Sequence, residues 1–477
     1  MKPKIVPVVK HEAAGCTVYL VSSPKDLPAG IFSKPELTYI RHRKEEKADW
    51  IPFDRLGYWD FVQFIKEEKD LYRRLEELRK AGDRLQAFLN KHKVTGITIS
   101  GPGNDPLVTL TFAEGVILGD YRFSKYKTTK DDSVTLEEIR ICTDALPVEG
   151  IALLDAVTDG VYFARDLINE PNSGLTAGIF AHEITEMGKS CGVEVEVMNK
   201  NKLEALQMGG ILGVNKGSHE PPLMVCMEYK PSHPKNKNPF VLVGKGIMFD
   251  TGGMNLKPGD YMNDMKDDMS GGAAVAGAMM AIARAKLSVH IIGLVPATDN
   301  RPGEQAIVSG DVLRMHNGKT VEVINTDAEG RLILADALSY ASRYKPALVI
   351  DLATLTGSAL RAVGKGAIAG MQAGATEWMD QLIKSGFAVH ERIVELPLWD
   401  DYAEALKSEV ADMKNLGGPE AGAIIAGKFL EKFTSYPFIH LDIAGPAFLD
   451  KRDHYRGIGG TGVGVRLLFH FFSTKTT

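Results

Sequence analysis

Two carboxylates and a guanidinium crowd into seven residues at Asn325–Arg331, the run Asn-Thr-Asp-Ala-Glu-Gly-Arg. On an extended connection Asp327 and Glu329 point the same way, because the strand period is two. Two carboxylates aimed at one point need a shared proton or a metal ion. Taken alone, the run also reads as a surface turn with solvated acids, Glu329 being favoured by a helix N-terminus. A second stretch, Val243–Ala278, supplies Lys245 just past a strand, Asp250 before a double glycine, Lys257, and a cluster of acids ending at Asp268. Each has an ordinary explanation by itself: lysines snorkel, and Asp268 ahead of Met269-Ser270-Gly271 fits a helix cap. Together, Asp250, Asp268, Asp327 and Glu329 carry four negative charges, which two divalent cations would neutralise. An oxygen-rich set with few histidines suits Mg, Mn or Zn held as a pair about 3.5–4 Å apart, the arrangement of two-metal hydrolases.

The elements that must position these residues are legible in the spacing. Thr320–Ile324 alternates polar and apolar residues and predicts a strand; Gly330–Tyr344 has apolar residues at helical spacing. Upstream, helices are predicted near Ala177–Lys189 and Gly271–Arg284. Strands are predicted at Val193–Met198, Leu223–Tyr229, Phe240–Gly244, Val289–Val295 and Ala347–Leu352. Short apolar strands between helices predict a mixed sheet covered on both faces. The first 150 residues predict a smaller α/β domain, with strands at Cys16–Ser22, Val94–Ser100 and Glu138–Cys142. Between them lie a charged helix over Asp60–Lys91, a second helix within Pro102–Tyr126, and a polar break at Thr128–Ser133. The alternating charges of Lys66–Arg84 suit a solvated face. A helix at Gly150–Asn169 ends at the turn-forming Pro171–Gly174. The expected organisation is an N-terminal domain over 1–149, a linker helix over 150–172 and a larger catalytic domain over 173–477.

At 477 residues the chain is too long for one ordinary core. With 44% hydrophobic and 25% charged residues it has a globular composition, and a net charge of −5 gives no general attraction to nucleic acid or an anionic membrane. The N-terminal stretch, broken by prolines, lacks the apolar core of a secretory signal, and no segment is apolar over a membrane's thickness. Cys16, Cys142, Cys191 and Cys226 are scattered without a paired motif, which points to a reducing cytoplasm. Three motif-like runs fail. His182-Glu183 lacks a second histidine four residues on, Gly318-Lys319-Thr320 lacks the earlier glycine of a phosphate loop and fits a hairpin turn, and Gly244-Lys245-Gly246 lacks the third glycine of a dinucleotide fingerprint.

Blocks beyond the signature carry a resemblance: Gly244-Lys245-Gly246, Phe249–Gly253, Leu256-Lys257, Asp268-Met269, Asp351–Gly357 and Asp442–Gly445, in this order. With Asn325–Arg331 they make the sequence resemble the leucyl aminopeptidase family, the M17 metallopeptidases. The likeness is strong from Asp166 onward and thin upstream, where Glu114–Lys127 matches best. It implies that Asp250 and Glu329 bridge two metal ions, that Asp327 completes the first site, and that Lys245 with Asp268 completes the second. The family spacing after Lys257 selects Asp268 over its neighbours Asp264 and Asp267. A lysine ligand must be neutral, so its pKa of about 10.4 has to fall. The resemblance further implies a water activated by both metals, with Lys257 stabilising the oxyanion and an Arg331-held bicarbonate as general base. Met265, Thr354, Gly357 and Ala444 would surround the substrate's first side chain, with the Leu355 carbonyl near the scissile amide. Ser309, where relatives carry Pro, and Pro446-Ala447 depart from the pattern and bear on specificity. The cofactors implied are two divalent ions, Zn or Mn with Mg as an alternative, and bicarbonate. The partners implied are peptide substrates and five further copies of the chain in a homohexamer. A nucleic-acid-binding regulator on the same fold is the alternative, disfavoured by the acidic charge and the lack of a basic tail.

Overall fold

Five- and six-residue runs rich in β-branched and aromatic residues build the sheet of the first unit. In the computed structural model, which describes residues 2–9, 15–102, 105–129, 135–142 and 148–475, these are β1 (Lys4–Val8), β2 (Thr17–Val21), β3 (Trp50–Asp54), β4 (Trp59–Phe64), β5 (Gly96–Ser100) and β6 (Glu138–Cys142). Positions 10–14 of the N-terminal stretch and 130–133 of the polar break lie outside the described residues. The strand order is β1-β6-β5-β2-β4-β3. All neighbours are parallel except β3, whose Pro52 is tolerated because β3 is an edge. Central β2 is buried at every position, as a strand covered on both faces must be.

The single helix expected over Asp60–Lys91 divides in two. Trp59–Phe64 is β4, and the helix starts at Leu71. Asp60 and Gln63 disguise the strand: both are buried, Asp60 held by Arg55 Nε at 2.8 Å and Gln63 donating to the Asp49 and Phe64 carbonyls. Nor is the charged face of that helix wholly solvated. Glu76, Arg79 and Asp83 are buried, and Arg79 Nε reaches Glu114 on the Pro106–Asp120 helix at 2.6 Å.

The chain divides into two units, residues 1–158 with 452–457, and residues 159–451 with 458–477. The dividing point falls within the helix Val148–Asn169. The larger unit contains β7 (Glu194–Met198), β8 (Leu223–Tyr229), β9 (Phe240–Gly244), β10 (Gly246–Asp250), β11 (Ile291–Asn300), β12 (Val312–Arg314), β13 (Thr320–Glu322), β14 (Leu348–Ala353), β15 (Ile368–Ala373), β16 (Ile393–Glu395), β17 (Met413–Lys414) and β18 (Phe438–Asp442). Its nine-stranded sheet runs β16-β15-β18-β14-β9-β11-β8-β7, with β10 also paired to β11. It is mixed: β9, β11, β14 and β18 are mutually parallel, β8 runs against both its neighbours, and β15 runs against β18 but along β16. Both faces are covered. Ile292 and Leu294 join the core formed with helices Gly209–Asn215 and Gly330–Ala341, whereas Gly293 and Val295 face Ser270–Arg284. Thus the α/β class, with a smaller N-terminal domain and a larger one on a helix-flanked mixed sheet, is as the patterning predicts.

One buried acid braces this core. Asp336 on the Gly330–Ala341 helix accepts from the backbone N–H of Ile211 and of His316, each at 2.9 Å. Asp336→Ala leaves two buried donors unsatisfied and is expected to cost about 2–4 kcal/mol of stability, read as a lower guanidinium unfolding midpoint. An unchanged midpoint would show that water replaces the carboxylate.

Candidate metal centre

The parallel strands of the larger sheet deliver their carboxyl ends to one edge, the place where open α/β sheets collect functional side chains. Lys245 follows β9, Asp250 ends β10, Asn300 ends β11, Thr354–Gly357 follow β14, and Asp442 ends β18 with Ala444 just beyond. Two loops add the rest: the short turn Met265–Asp267 leading to Asp268, and the signature turn after β13.

The signature is a turn, one of the two shapes that the sequence leaves open. The Asn325 side chain accepts from Asp327 N at 2.8 Å, and Ala328 N donates to Asn325 O. Glu329 already has helical angles, φ −75° and ψ −37°. Asp327 and Glu329 therefore converge because the chain turns, and both meet Asp250: the three carboxylates offer oxygens all within 4.8 Å of one another. The ordinary alternatives fall away as well. Glu329 makes no capping hydrogen bond to its helix, and Asp268 does not cap the next one, whose N-cap position is Met269.

Two ammonium groups stand among the four acids. Lys245 Nζ lies 2.7 Å from Asp268 Oδ1 and 2.9 Å from Glu329 Oε1. Lys257 Nζ lies 2.8 Å from Asp250 Oδ2 and 2.7 Å from Asp327 Oδ1. Lys245, Asp250, Asp268 and Glu329 are each under 5% exposed; the Asp327 side chain, at 34%, opens the cluster to solvent. Burial alone would discharge Lys245, but Asp268, Glu329 and Asp250 outweigh it and hold its pKa above the ordinary value. Lys257 is raised in the same way, burial being overcome by Asp250, Glu329 and Asp327. Burial and mutual repulsion push Asp268, Asp327 and Glu329 upward. Asp268 Oδ2 is buried without a hydrogen-bond partner among the described residues.

Amide side chains that spacing does not single out hold these groups in place. Asn300 Nδ2 donates to Asp250 Oδ1 at 2.7 Å and Thr326 O at 3.1 Å, with Glu329 Oε2 at 3.5 Å. Asn415, wholly buried, accepts from Ile324 N at 2.8 Å and donates to Asn325 O at 2.7 Å. Asn255 accepts from Thr326 N at 2.8 Å, tying the Lys257 loop to the signature. No local pattern marks such residues; only their long-range partners do.

Arg331 is buried beneath the turn. Nη1 donates to Asn415 O at 2.7 Å, and Nε has no partner among the described residues. Burial lowers its pKa to about 10, against the opposing pull of Glu329 and Asp442. Of the proposed pocket residues, Thr354 is drawn into the cluster, donating to Asp268 Oδ1 at 2.9 Å and accepting from Lys245 at 3.1 Å. Leu355 N and Ala444 N share one acceptor, Asp442 Oδ1. Half-buried Met265 opens the turn before Asp268, and exposed Gly357 opens the helix Gly357–Val363; no hydrogen bond brings either into the cluster.

Gly330 sets the tolerance of the site. A Cβ there would lie 2.4 Å from Lys245 Cε and 2.7 Å from its Nζ. Gly330→Ala is expected to push Lys245 off Asp268 and Glu329 and lower kcat/KM about 100-fold, the scale of a 1 Å misplacement. Steady-state kinetics on a variant with an unchanged circular dichroism spectrum would check it; full activity would mean that Lys245 moves freely.

Residues 162–469 match the profile described as the cytosol aminopeptidase family, catalytic domain. A probable cytosol aminopeptidase of Geobacter sulfurreducens is 44% identical over 405 residues, 83% of this chain and 81% of that protein. Another, from Chloroherpeton thalassium, is 45% identical over 405 residues and 79% of each chain. Among solved structures, a mutant of tomato leucine aminopeptidase is similar with a TM-score of 0.86 at 26% identity, covering 99% of this chain and 97% of that one. The bottromycin maturation enzyme BotP in complex with Mn gives a TM-score of 0.85 at 29% identity, covering 98% and 100%.

Proposed function

The chain belongs to the cytosol aminopeptidase family, whose peptidases are metal-dependent, and from that premise we propose that it releases the N-terminal residue of peptides at the Asp250–Asp327–Glu329 cluster. The observation that carries the reading is the convergence of those three carboxylates within 4.8 Å beside the Lys245–Asp268 pair. Asp250 and Glu329 would bridge two divalent ions, Zn or Mn with Mg as an alternative. Asp327 would complete one site, and Lys245 with Asp268 the other. The donors fit. Four carboxylates outnumber two ammonium groups, and the partnerless Asp268 Oδ2 is the acceptor a cation would satisfy. As a ligand Lys245 must lose its proton. Burial already favours that, and the carboxylates that oppose it are the ones cations would take up.

Such a metal pair supplies Lewis acidity, ionising water near neutral pH and polarising the scissile carbonyl. The chain's own groups do the rest. Lys257, kept charged by Asp250, Glu329 and Asp327, donates Nζ–H to the carbonyl oxygen as it gains charge. Arg331, anchored through Nη1 on the Asn415 carbonyl, has a partnerless Nε that would hold a bicarbonate ion, and such an ion would supply a general base. Thr354, Gly357, Met265 and Ala444 border the first side chain, and the Leu355 carbonyl lies near the scissile amide. The same premise supports a homohexamer and a cytoplasmic site of action. Among the described residues no helix is long and apolar enough to cross a membrane. A monomer in light scattering would overturn the hexamer.

Release of leucine from a leucyl peptide, abolished by chelation and restored by Mn or Zn, tests the whole reading. Remetallated protein that releases no N-terminal residue would overturn it.

A further inference from the structure

The catalytic reading leaves out one wholly buried carboxylate at the same sheet edge. Asp442, the last residue of β18, accepts from Leu355 N at 3.2 Å and Ala444 N at 3.1 Å through Oδ1, and from Thr356 Oγ1 at 2.7 Å through Oδ2. Leu355 and Thr356 leave β14, and Ala444 leaves β18. The two strands are parallel neighbours in which Ala353 pairs with Asp442. One side chain thus ties two loops that would otherwise diverge from adjacent strands.

The first loop is gripped from its other side as well. Thr354 donates to Asp268 and its carbonyl accepts from Lys245. The Thr354–Thr356 turn is therefore stretched between the proposed metal ligands and Asp442. Thr356 also caps the helix Gly357–Val363 by accepting from Ala359 N at 3.0 Å, so the bond to Asp442 orients Gly357 too. Burying an ionised carboxylate costs several kcal/mol unless its oxygens are satisfied. Here three donors satisfy them, and all three belong to the loops. Two cations act on it from nearby without hydrogen-bonding it: His440, whose Nδ1 is bound to Asp351, and Arg331, whose Nη1 donates to Asn415 O. Packing alone gives no reason for a charge in this place.

We propose that Asp442 is a positioning residue that sets the width of the pocket for the substrate's first side chain, by fixing the Leu355–Gly357 backbone against that of Ala444. The inference rests on the reading that these residues border that side chain. Asparagine at 442 retains an oxygen for both backbone N–H groups, and alanine retains none.

The test compares leucyl and alanyl p-nitroanilides on the remetallated enzyme, with metal content measured alongside. Asp442→Ala is expected to raise KM for the leucyl substrate about tenfold and to cut the leucyl-to-alanyl ratio of kcat/KM about tenfold, a discrimination worth roughly one methylene. Metal content should not change. Asp442→Asn should hold the ratio within about twofold of the parent. Thr356→Val, which removes the bond to Asp442 and the cap on Ala359 N but no buried charge, should lower the ratio about threefold and serves where Asp442→Ala does not fold. An unchanged ratio in Asp442→Ala or Thr356→Val, or metal lost together with activity, would overturn the proposal. A parent enzyme inactive on both substrates would instead overturn the site reading beneath it, so the two failures are distinguishable.

Discussion

Glu329→Gln is expected to lose one of the two metal ions at concentrations that saturate the parent protein, with affinity down more than about 100-fold. Loss of a residue that only supports a metal ligand costs about 10- to 100-fold, and Glu329 is proposed to bridge both ions. Gln occupies the same volume and can still meet the Lys245 ammonium, now 2.9 Å from Glu329 Oε1, so the fold should persist. What disappears is one of four charges, and Glu329 itself is only 1% exposed, where charge is little screened. Titration of Mn or Zn by calorimetry should show one tight site or none. Two sites of parental affinity would remove Glu329 from the bridge. Kinetics alone would not suffice, since a misplaced general base also slows turnover.

Lys257→Met should give the opposite pattern: metals held at least as tightly, and kcat lower by about 100- to 1,000-fold, the usual loss on removing an oxyanion donor. The signs follow from the contacts. Lys257 Nζ lies between Asp250 and Asp327, at 2.8 and 2.7 Å. Removing it takes a positive charge from carboxylates that would bind cations, so metal binding gains while the reacting oxygen loses its donor. Weaker metal binding in this variant would make Lys257 a structural counter-ion and not a catalytic group.

The two substitutions probe residues that differ in how much of them the sequence reveals. That Asp250, Asp327 and Glu329 come together was legible because counting charges over short stretches marks acids that need a counter-charge, and the structure brings the three carboxylates within 4.8 Å of one another. The strands leading to Lys245 and to the signature were legible too, since runs such as Phe240–Gly244 are apolar throughout and buried throughout, whereas β10, which ends in Asp250, was not among the expected strands. Trp59–Phe64 was not, because Asp60 and Gln63 are polar yet buried, and their partners Arg55 and the Asp49 carbonyl are invisible in a periodicity. The local shape of Asn325–Glu329 was left open between an extended connection and a turn, and a side-chain turn at Asn325 decides it. Asn300 and Asn415 had no signal, and Asp442 stood out only as the first residue of the Asp442–Gly445 block, with no role attached to it. Each acts through hydrogen bonds to segments tens of residues away, and no window of sequence holds both ends of such a bond.

The sheet edge that gathers Lys245, Asp250, Asn300, the signature turn, Thr354 and Ala444 also imposes a timetable. Pairing β9 with β14, and β14 with β18, closes long loops before any local reward is gained, the kind of topology that folds slowly. During synthesis at about 5–20 residues per second, on the order of 10–40 s separate the emergence of Lys245 from that of Ala444. The growing chain carries Lys245 and the four carboxylates of the cluster well before Asp442 and Ala444 emerge, so the sheet edge is completed last on its β18 side.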